Sequence, residues 1–196
     1  MKQLLCQVAI GGNILIRLRK TSSSMLETER LLHRPFTAND IDRFVEIRSK
    51  AEVAYYIGGA TANTKAKLEK RLTYYQKTHE TKGYGIEAIV WKATDKIIGW
   101  SGLQPVEETP HIQLTYGISS EFWRQGIGYE TAAAWLQYGF ETLQLKQIVA
   151  LADPNNTGSC KIMEKVGMQL EGLQLYKGID CCFYTISKAE FSISGL

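Results

Sequence analysis

Two glycines at the predicted start of a helix mark the segment of this chain that is best suited to binding an anion. Residues 123–128 read Trp-Arg-Gln-Gly-Ile-Gly, which places Gly126 and Gly128 one residue apart. Glycine lets the backbone approach a ligand, and the first N–H groups of a helix, with the positive end of its dipole, favour a negative charge. Arg124 adds a positive side chain. The segment therefore predicts a site for a phosphate, in particular a pyrophosphate.

The glycine spacing also has a purely structural explanation, since glycines can begin a helix that binds nothing. A dinucleotide-binding fingerprint would need a third glycine or alanine where the chain has Thr131, and the Lys-Ser/Thr pair of a P-loop is absent. Both nucleotide-binding motifs are therefore excluded.

The elements on either side of the loop are predicted by their periodicity. Residues 112–119 alternate apolar and polar side chains, which is typical of a half-buried strand. After the loop, apolar side chains recur at helical spacing, namely Tyr129, Ala132, Ala133, Leu136, Phe140 and Leu143. The glycines therefore lie between a strand and the N-terminus of an amphipathic helix.

The rest of the chain predicts elements that form one mixed sheet with helices packed on it. Further helices are predicted over 38–50, 64–81 and 156–166; the first begins with a capping box from Thr37 to Asp40 and the last ends at Gly167. Strands are predicted over 84–91, 97–104, 147–152, 169–176 and 181–187. The predicted fold class is α/β (α+β), a mixed, mostly antiparallel sheet of six to seven strands flanked by about four helices.

Length and composition are typical of one globular domain. The chain has 196 residues, of which 44% are hydrophobic and 22% charged, and this excludes a disordered or fibrous protein. No apolar run approaches the roughly 20 residues of a membrane-spanning helix. We predict a single domain over 25–196 that opens at Met25. Residues 1–24 are predicted to be an extension, either absent from the native protein or disordered, with an extra edge strand as the alternative.

The net charge of +3 lies in that extension. Four basic residues and no acidic ones fall within residues 1–24, so the rest of the chain has 19 basic side chains against 20 acidic ones. A domain with a net charge of −1 lacks the basic surface expected of a nucleic-acid-binding protein. The four cysteines, Cys6, Cys160, Cys181 and Cys182, show neither zinc-site spacing nor the density of a disulfide scaffold, and we expect reduced thiols in a cytoplasmic protein.

Three segments carry a family resemblance. Residues 25–40 contain Thr-Glu-Arg-Leu at 28–31 and Arg-Pro-Phe at 34–36. Residues 123–128 match the pattern Q/R-x-x-G-x-G/A, with Trp123 replacing the opening Q/R. Residues 153–168 match a later pattern at Asn156, Ser159, Lys165 and Gly167, with Met168 in an aromatic position. Together these segments resemble the GNAT superfamily of N-acetyltransferases, specifically its branch of ribosomal-protein N-terminal (alanine/serine) acetyltransferases.

The resemblance implies a GNAT-like acyl-CoA N-acyltransferase fold and acetyl-CoA as cosubstrate. In this superfamily the coenzyme separates the strands that correspond to 112–119 and 147–152. Its pantetheine amides pair with the backbone near Ile118, and its pyrophosphate rests on the amides of residues 124–129. The implied coenzyme-binding residues are Ile118, Arg124, Gln125, Gly126, Ile127, Gly128, Tyr129, Asn156 and Ser159.

The resemblance also implies direct attack of an amine on the thioester. Many members protonate the departing thiolate with a tyrosine four residues after the position of Ser159, but that position is Met163 here. Ser159 is therefore the predicted proton donor, with Asn156 orienting the coenzyme or a water molecule. The structural alternative is a helix N-cap at Asn156 and a first-turn hydroxyl at Ser159.

The general base is left open by the sequence. Glu87, in a predicted strand, is the residue we predict to be catalytic, while the acidic residue that some members carry two strands further on corresponds to Gln113. His111, Glu121 and Asp180 are alternatives. A bound water suffices if the acceptor is an α-amine, whose pKa near 8 leaves it partly neutral at pH 7.

We therefore predict an acetyl-CoA-dependent N-acetyltransferase that acts on a primary amine, either a protein N-terminus or a small molecule. The predicted partners are acetyl-CoA and the amine, with no metal, nucleic acid or membrane, and the protein is predicted to be a cytoplasmic monomer or homodimer. One alternative is a non-catalytic acyl-CoA-binding protein of the same fold, favoured by Met163 and the unassigned base. A nucleotide- or nucleic-acid-binding module is disfavoured by the absent motifs and the charge.

Overall fold

A single mixed sheet forms the centre of the molecule. The computed structural model describes residues 6–10, 14–20, 24–176 and 178–193. In these ranges ten strands form one sheet in the order β1-β2-β3-β4-β5-β6-β7-β8-β10-β9. The strands are β1 Cys6–Ile10, β2 Ile14–Lys20, β3 Ser24–Glu27, β4 Leu31–Arg34, β5 Ile86–Trp91, β6 Lys96–Pro105, β7 Ile112–Ile118, β8 Gln147–Ala152, β9 Gln169–Tyr176 and β10 Ile179–Ser187. All neighbouring pairs are antiparallel except β7 and β8, which are parallel. The predicted fold class is confirmed.

Seven α-helices lie in the described ranges. They are α1 Ile41–Ser49, α2 Ala51–Ala54, α3 Gly59–Ala62, α4 Lys65–Lys82, α5 Ile127–Gln137, α6 Thr157–Lys165 and α7 Lys188–Ile193. A 3-10 turn at Ala38–Asp40 carries the predicted capping box, in which the Asp40 carboxylate accepts the Thr37 N–H at 2.6 Å. The four predicted helices correspond to α1, α4, α5 and α6. The shorter α2, α3 and α7 were not predicted because a single turn carries too little periodicity to be read.

The sheet has more strands than the six to seven predicted. The additional ones, β1 to β4, precede α1 and pair in sequence as an antiparallel meander. Residues 6–10 and 14–20, within the predicted extension, are therefore strands at the edge of the sheet. The assignment of residues 1–24 as an extension to the domain stays a prediction.

The helices bury apolar side chains against both faces of the sheet, as the period of two along each strand requires. On one face, Phe44 of α1 and Leu72 of α4 pack against Val90 and Trp100. On the other face, α5 and α6 cover β6, β7 and β8 with a larger cluster that includes Trp135. Because α5 and α6 share a face, the loops that precede them open beside the same pair of strands, β7 and β8.

Candidate active site

The parallel strands β7 and β8 separate soon after they meet. Their pairing is confined to Gln113 and Val149 in the part of the chain that the structure describes. The Ser119 N–H donates to the Ile98 carbonyl at 2.7 Å, toward β6. Since alternate residues of an antiparallel strand turn their polar groups to opposite edges, the N–H and C=O of Ile118 point toward β8. A groove with an unpaired strand edge therefore lies between β7 and β8.

Trp123 contacts the strand edge that faces this groove. It occupies the position where the family pattern has Gln or Arg. Its indole N–H donates to the Ile118 carbonyl at 2.7 Å. The Ile118 carbonyl thus has a partner within the chain, and the Ile118 N–H is the group that is left for a ligand amide. The prediction that a pantetheine amide pairs with the backbone near Ile118 therefore concerns the Ile118 N–H.

The loop after β7 presents free N–H groups at the start of α5. Gly126 is the N-cap residue, with a φ of 77°, and no side chain caps the helix. The first intrahelical bond runs from the Glu130 N–H to the Gly126 carbonyl at 3.0 Å, so the N–H groups of residues 127–129 have no acceptor within the helix. Arg124, exposed, has a φ of 60°, a conformation that costs a non-glycine residue energy and is found at binding sites. This geometry suits an anion.

The helices α5 and α6 pack closely at Gly128. A Cβ on Gly128 would lie 2.5 Å from Ile162 Cδ1. Gly128 therefore lets α6 approach the first turn of α5, and Gly126 supplies the left-handed turn. The two glycines have different physical roles.

The N-terminus of α6 brings Ser159 to the groove. Asn156 is the N-cap residue, and its side-chain oxygen accepts the Ser159 N–H at 3.1 Å. The structural alternative considered for Asn156 is therefore present, which leaves its amide NH2 group for any contact with a ligand. The Ser159 hydroxyl lies 3.0 Å from the hydroxyl of Tyr116, in the middle of β7. Asn156 and Ser159 are therefore adjacent in space, and their catalytic roles stay predictions.

Tyr116 is the site residue that sequence reasoning missed. It occupies an apolar position in the alternating 112–119 pattern, which predicts a half-buried strand but gives no sign of a contact with Ser159. Burial raises the pKa of Tyr116 to about 12, so that its hydroxyl keeps its proton at neutral pH. Met163, in the position of the family tyrosine, is 1% exposed and belongs to the core. Tyr116 thus places a phenol beside Ser159 from a different element.

Glu87 lies in the same cross-strand row as Tyr116 but does not touch Ser159. The register pairs Glu87 with Ser101 and Ser101 with Tyr116, which is two strand spacings, or about 10 Å. Glu87 is 2% exposed, its Oε1 lies 3.0 Å from His79 Nε2, and its Oε2 has no hydrogen-bond partner among the described residues. Burial raises the pKa of Glu87 above its ordinary value. Its role as base stays a prediction.

The other candidate bases lie in other surroundings. Glu121 is an exposed carboxylate that pairs with Lys50, and it lies 3.7 Å from Arg43. The His111 ring centroid lies 6.0 Å from that of Phe183, and Asp180 is exposed in β10. Within the described part of the chain, the contacts of these three side chains do not include Ser159.

The described residues contain neither a cluster suited to a metal ion nor a helix suited to a membrane. Within residues 6–10, 14–20, 24–176 and 178–193, no group of three or more His, Cys, Asp or Glu side chains could hold a metal ion. Over the same residues, no helix is long and apolar enough to cross a membrane. Cys160, Cys181 and Cys182 are free thiols of intermediate exposure.

Comparison with known proteins gives the family. The Acetyltransferase (GNAT) domain matches residues 30–169. The chain is 28% identical over 175 residues to a Bacillus licheniformis protein named uncharacterized N-acetyltransferase p20, and the match covers 85% of this chain and 98% of that protein. Because the domain match spans most of the chain, it shows the family.

Two solved structures share the fold. A putative ribosomal-protein-serine acetyltransferase from Vibrio cholerae has a TM-score of 0.69 at 20% identity, covering 83% of this chain and 97% of its own. Mycobacterium smegmatis RimJ in complex with CoA-disulfide has a TM-score of 0.67 at 18% identity, covering 84% of this chain and 89% of its own. The resemblance seen in the three sequence segments is thus confirmed, and the chain belongs to the GNAT family of acetyltransferases.

Proposed function

We propose that the protein is an acetyl-CoA-dependent N-acetyltransferase that transfers the acetyl group to a primary amine by direct attack. The observation that carries the proposal is the groove between β7 and β8, which ends at the uncapped N-terminus of α5. A pyrophosphate fits the N–H groups of residues 127–129, with Arg124 beside them. The Ile118 N–H suits a pantetheine carbonyl.

In the proposed complex, acetyl-CoA supplies an activated acyl group as a thioester. The amine nitrogen forms the new C–N bond, the C–S bond breaks, and the sulfur leaves with the bonding electrons. The Ser159 hydroxyl gives its proton to the sulfur, and the Tyr116 hydroxyl, 3.0 Å away, replaces it. Tyr116 recovers a proton from solvent. Asn156 caps α6 and so orients Ser159.

The proton lost by the attacking amine needs an acceptor. A water molecule accepts this proton first. The water then passes the proton to Glu87, because Glu87 lies about 10 Å from the Tyr116 position and is too far away to accept it directly. A carboxylate whose pKa is raised by burial is better matched to a base near neutral pH than an exposed one. Glu87 is thus the protein group that we propose for this role.

The acceptor is proposed to be a protein N-terminus or a small-molecule amine. The name of the Vibrio cholerae protein refers to a ribosomal protein, which favours a protein N-terminus as the acceptor. We propose that the protein works in the cytoplasm, as a monomer or homodimer, and without a metal, a nucleic acid or a membrane as partner.

A non-catalytic acyl-CoA-binding protein is the second candidate. It is favoured by two observations: Met163 stands in the tyrosine position, and Glu87 does not contact Ser159. Such a protein would bind acetyl-CoA but release no thiol beyond spontaneous hydrolysis.

A thiol-release assay against a panel of amines separates the two candidates. The panel should contain peptides with free N-termini, the same peptides with blocked N-termini, polyamines, amino acids and aminoglycosides. Amine-dependent release of free coenzyme A, with an acetylated product of the expected mass, is the predicted result. Coenzyme binding without release from any amine supports the second candidate, and no binding refutes both.

A further inference from the structure

A buried carboxylate lies in the first turn of α5, next to residues 123–128, which we call the phosphate loop. Glu130, in the first turn of α5, is 1% exposed. Its Oε1 accepts the Thr28 hydroxyl at 2.5 Å and the Arg30 N–H at 3.2 Å. Its Oε2 accepts the Arg30 Nε–H at 2.7 Å and lies 2.6 Å from Arg30 Nη2. The turn between β3 and β4 is therefore bound to α5 through this one side chain.

The same guanidinium also holds the loop itself. Arg30 Nη1 donates to the Gln125 carbonyl at 2.9 Å, next to the left-handed Gly126. A Cβ on Gly126 would lie 3.5 Å from Arg30 Nη2, and the guanidinium carbon lies 5.8 Å from the centroid of the Trp91 ring. Arg30 thus contacts both ends of the loop-to-helix junction. The family segment that contains Thr28 and Arg30 thereby acquires a physical role.

The charge of Glu130 matters for an anion site. A carboxylate in the first turn of a helix is stabilised by the dipole, but it also opposes the binding of a second anion at the same N-terminus. The two-nitrogen contact with Arg30 offsets that charge at close range. With that charge offset, the uncapped N–H groups of residues 127–129 keep their favourable potential for a phosphate.

We propose that Arg30 is a positioning residue for the pyrophosphate of acetyl-CoA, because it fixes the shape of the loop and neutralises Glu130. The inference rests on the proposed function, since it concerns the coenzyme that the proposed reaction uses. It assigns to the β3–β4 turn, about a hundred residues before the loop in the sequence, a part in coenzyme binding.

Calorimetric titration with acetyl-CoA tests the proposal on three variants. Arg30→Met keeps the length of the side chain and removes its charge, and we expect affinity to fall about tenfold or more. Arg30→Met combined with Glu130→Gln removes the opposing carboxylate, and we expect part of the loss to be recovered. Glu29→Ala is the matched control, since Glu29 is the exposed residue between Thr28 and Arg30, and it should bind like the unaltered protein.

Hydrogen exchange of the Glu130 N–H, which donates to the Gly126 carbonyl at the start of α5, tests the proposal in the free protein without the coenzyme. We expect faster exchange there in Arg30→Met than in Glu29→Ala. If Arg30→Met does not fold, Arg30→Lys keeps the charge but not the two-nitrogen contact, and should show an intermediate loss of affinity. Unchanged affinity in Arg30→Met, or in Arg30→Lys if that is the variant used, overturns the proposal, as does the absence of any recovery in the double variant. If the unaltered protein binds no acetyl-CoA, the proposed function fails, whereas unchanged exchange in the free variant counts against Arg30 alone.

Discussion

The hydroxyl pair of Ser159 and Tyr116 gives the most specific prediction about the chemistry. Ser159→Ala removes the proposed proton donor, and a positioned general acid contributes typically about 10²- to 10⁴-fold to a rate. Tyr116→Phe removes the contacts of the phenol with the Ser159 hydroxyl at 3.0 Å and the Ser159 carbonyl at 3.4 Å. Water then returns the proton to Ser159 in place of Tyr116, so we expect a cost of about 1 kcal/mol, or about fivefold in rate. We therefore expect kcat to fall by about a hundredfold or more in Ser159→Ala and by much less in Tyr116→Phe.

The assay follows free coenzyme A with a thiol reagent at saturating amine, and calorimetry gives the affinity for acetyl-CoA. Since Tyr116 acts through Ser159, the double variant should be no slower than Ser159→Ala alone. The affinity for acetyl-CoA should change little in either single variant, because the pyrophosphate site that we propose lies on α5. This combination separates a defect in proton transfer from a defect in binding.

Three results would refute this reasoning. A rate in Ser159→Ala equal to that of the unaltered enzyme removes Ser159 from the mechanism. A larger loss in Tyr116→Phe than in Ser159→Ala makes the tyrosine the direct donor. Additive losses in the double variant show that the two hydroxyls act independently.

Three further predictions concern stability, the loop and the base. His33 is fully buried, and burial lowers its pKa to about 3. In the unfolded state the pKa of this histidine is about 6.5, so the unfolded chain binds a proton that the folded protein does not. The free energy of unfolding should therefore decrease as the pH falls below about 6.5, by about 2 kcal/mol at pH 5. Urea unfolding at pH 7 and pH 5 should show a smaller decrease for His33→Gln, and an equal decrease in both proteins contradicts this. Gly126→Ala places a side chain at a φ of 77° and should cost about 1 kcal/mol of stability as well as affinity for acetyl-CoA. Gly178→Ala, at a φ of 81° and outside the loop, should lose stability alone, and equal binding by both variants counts against the loop. Glu87→Gln should remove an acid limb from the pH profile of kcat/KM at a pKa above the ordinary glutamate value, since burial raises the pKa of Glu87; an unchanged profile leaves water as the base.

Elements with a clear local signal were predictable from the sequence. The strands Gln147–Ala152 and Gln169–Tyr176 have the bounds that were predicted, and the helix that ends before Gly167 is present as α6, with Gly167 at a φ of 86°. These elements are marked by periodicity and by a residue that terminates them. The strands β1 and β2 lie where an extra edge strand was only the alternative to an extension. The strands β3 and β4 were missed because four residues each are too few for a period of two to be recognised.

The site was only partly predictable, because its contacts connect distant parts of the chain. The glycine spacing marks the phosphate loop locally. The contact between Tyr116 and Ser159 spans 43 residues, and that between Arg30 and Glu130 spans 100. No local pattern shows that Tyr116, at an apolar position of its strand, contacts the N-terminus of α6, or that Glu130 is buried in the first turn of α5. These partners become visible only when β3, β4, α5 and α6 are placed together.

The most direct measurement is a titration with acetyl-CoA, followed by the NMR signals of the backbone amides. The account predicts that Ile127, Gly128 and Tyr129, the residues whose N–H groups precede the first helical bond of α5, shift the most, together with Ile118. Saturation of acetyl-CoA binding without shifts at these amides, or with the largest shifts elsewhere, would contradict the account.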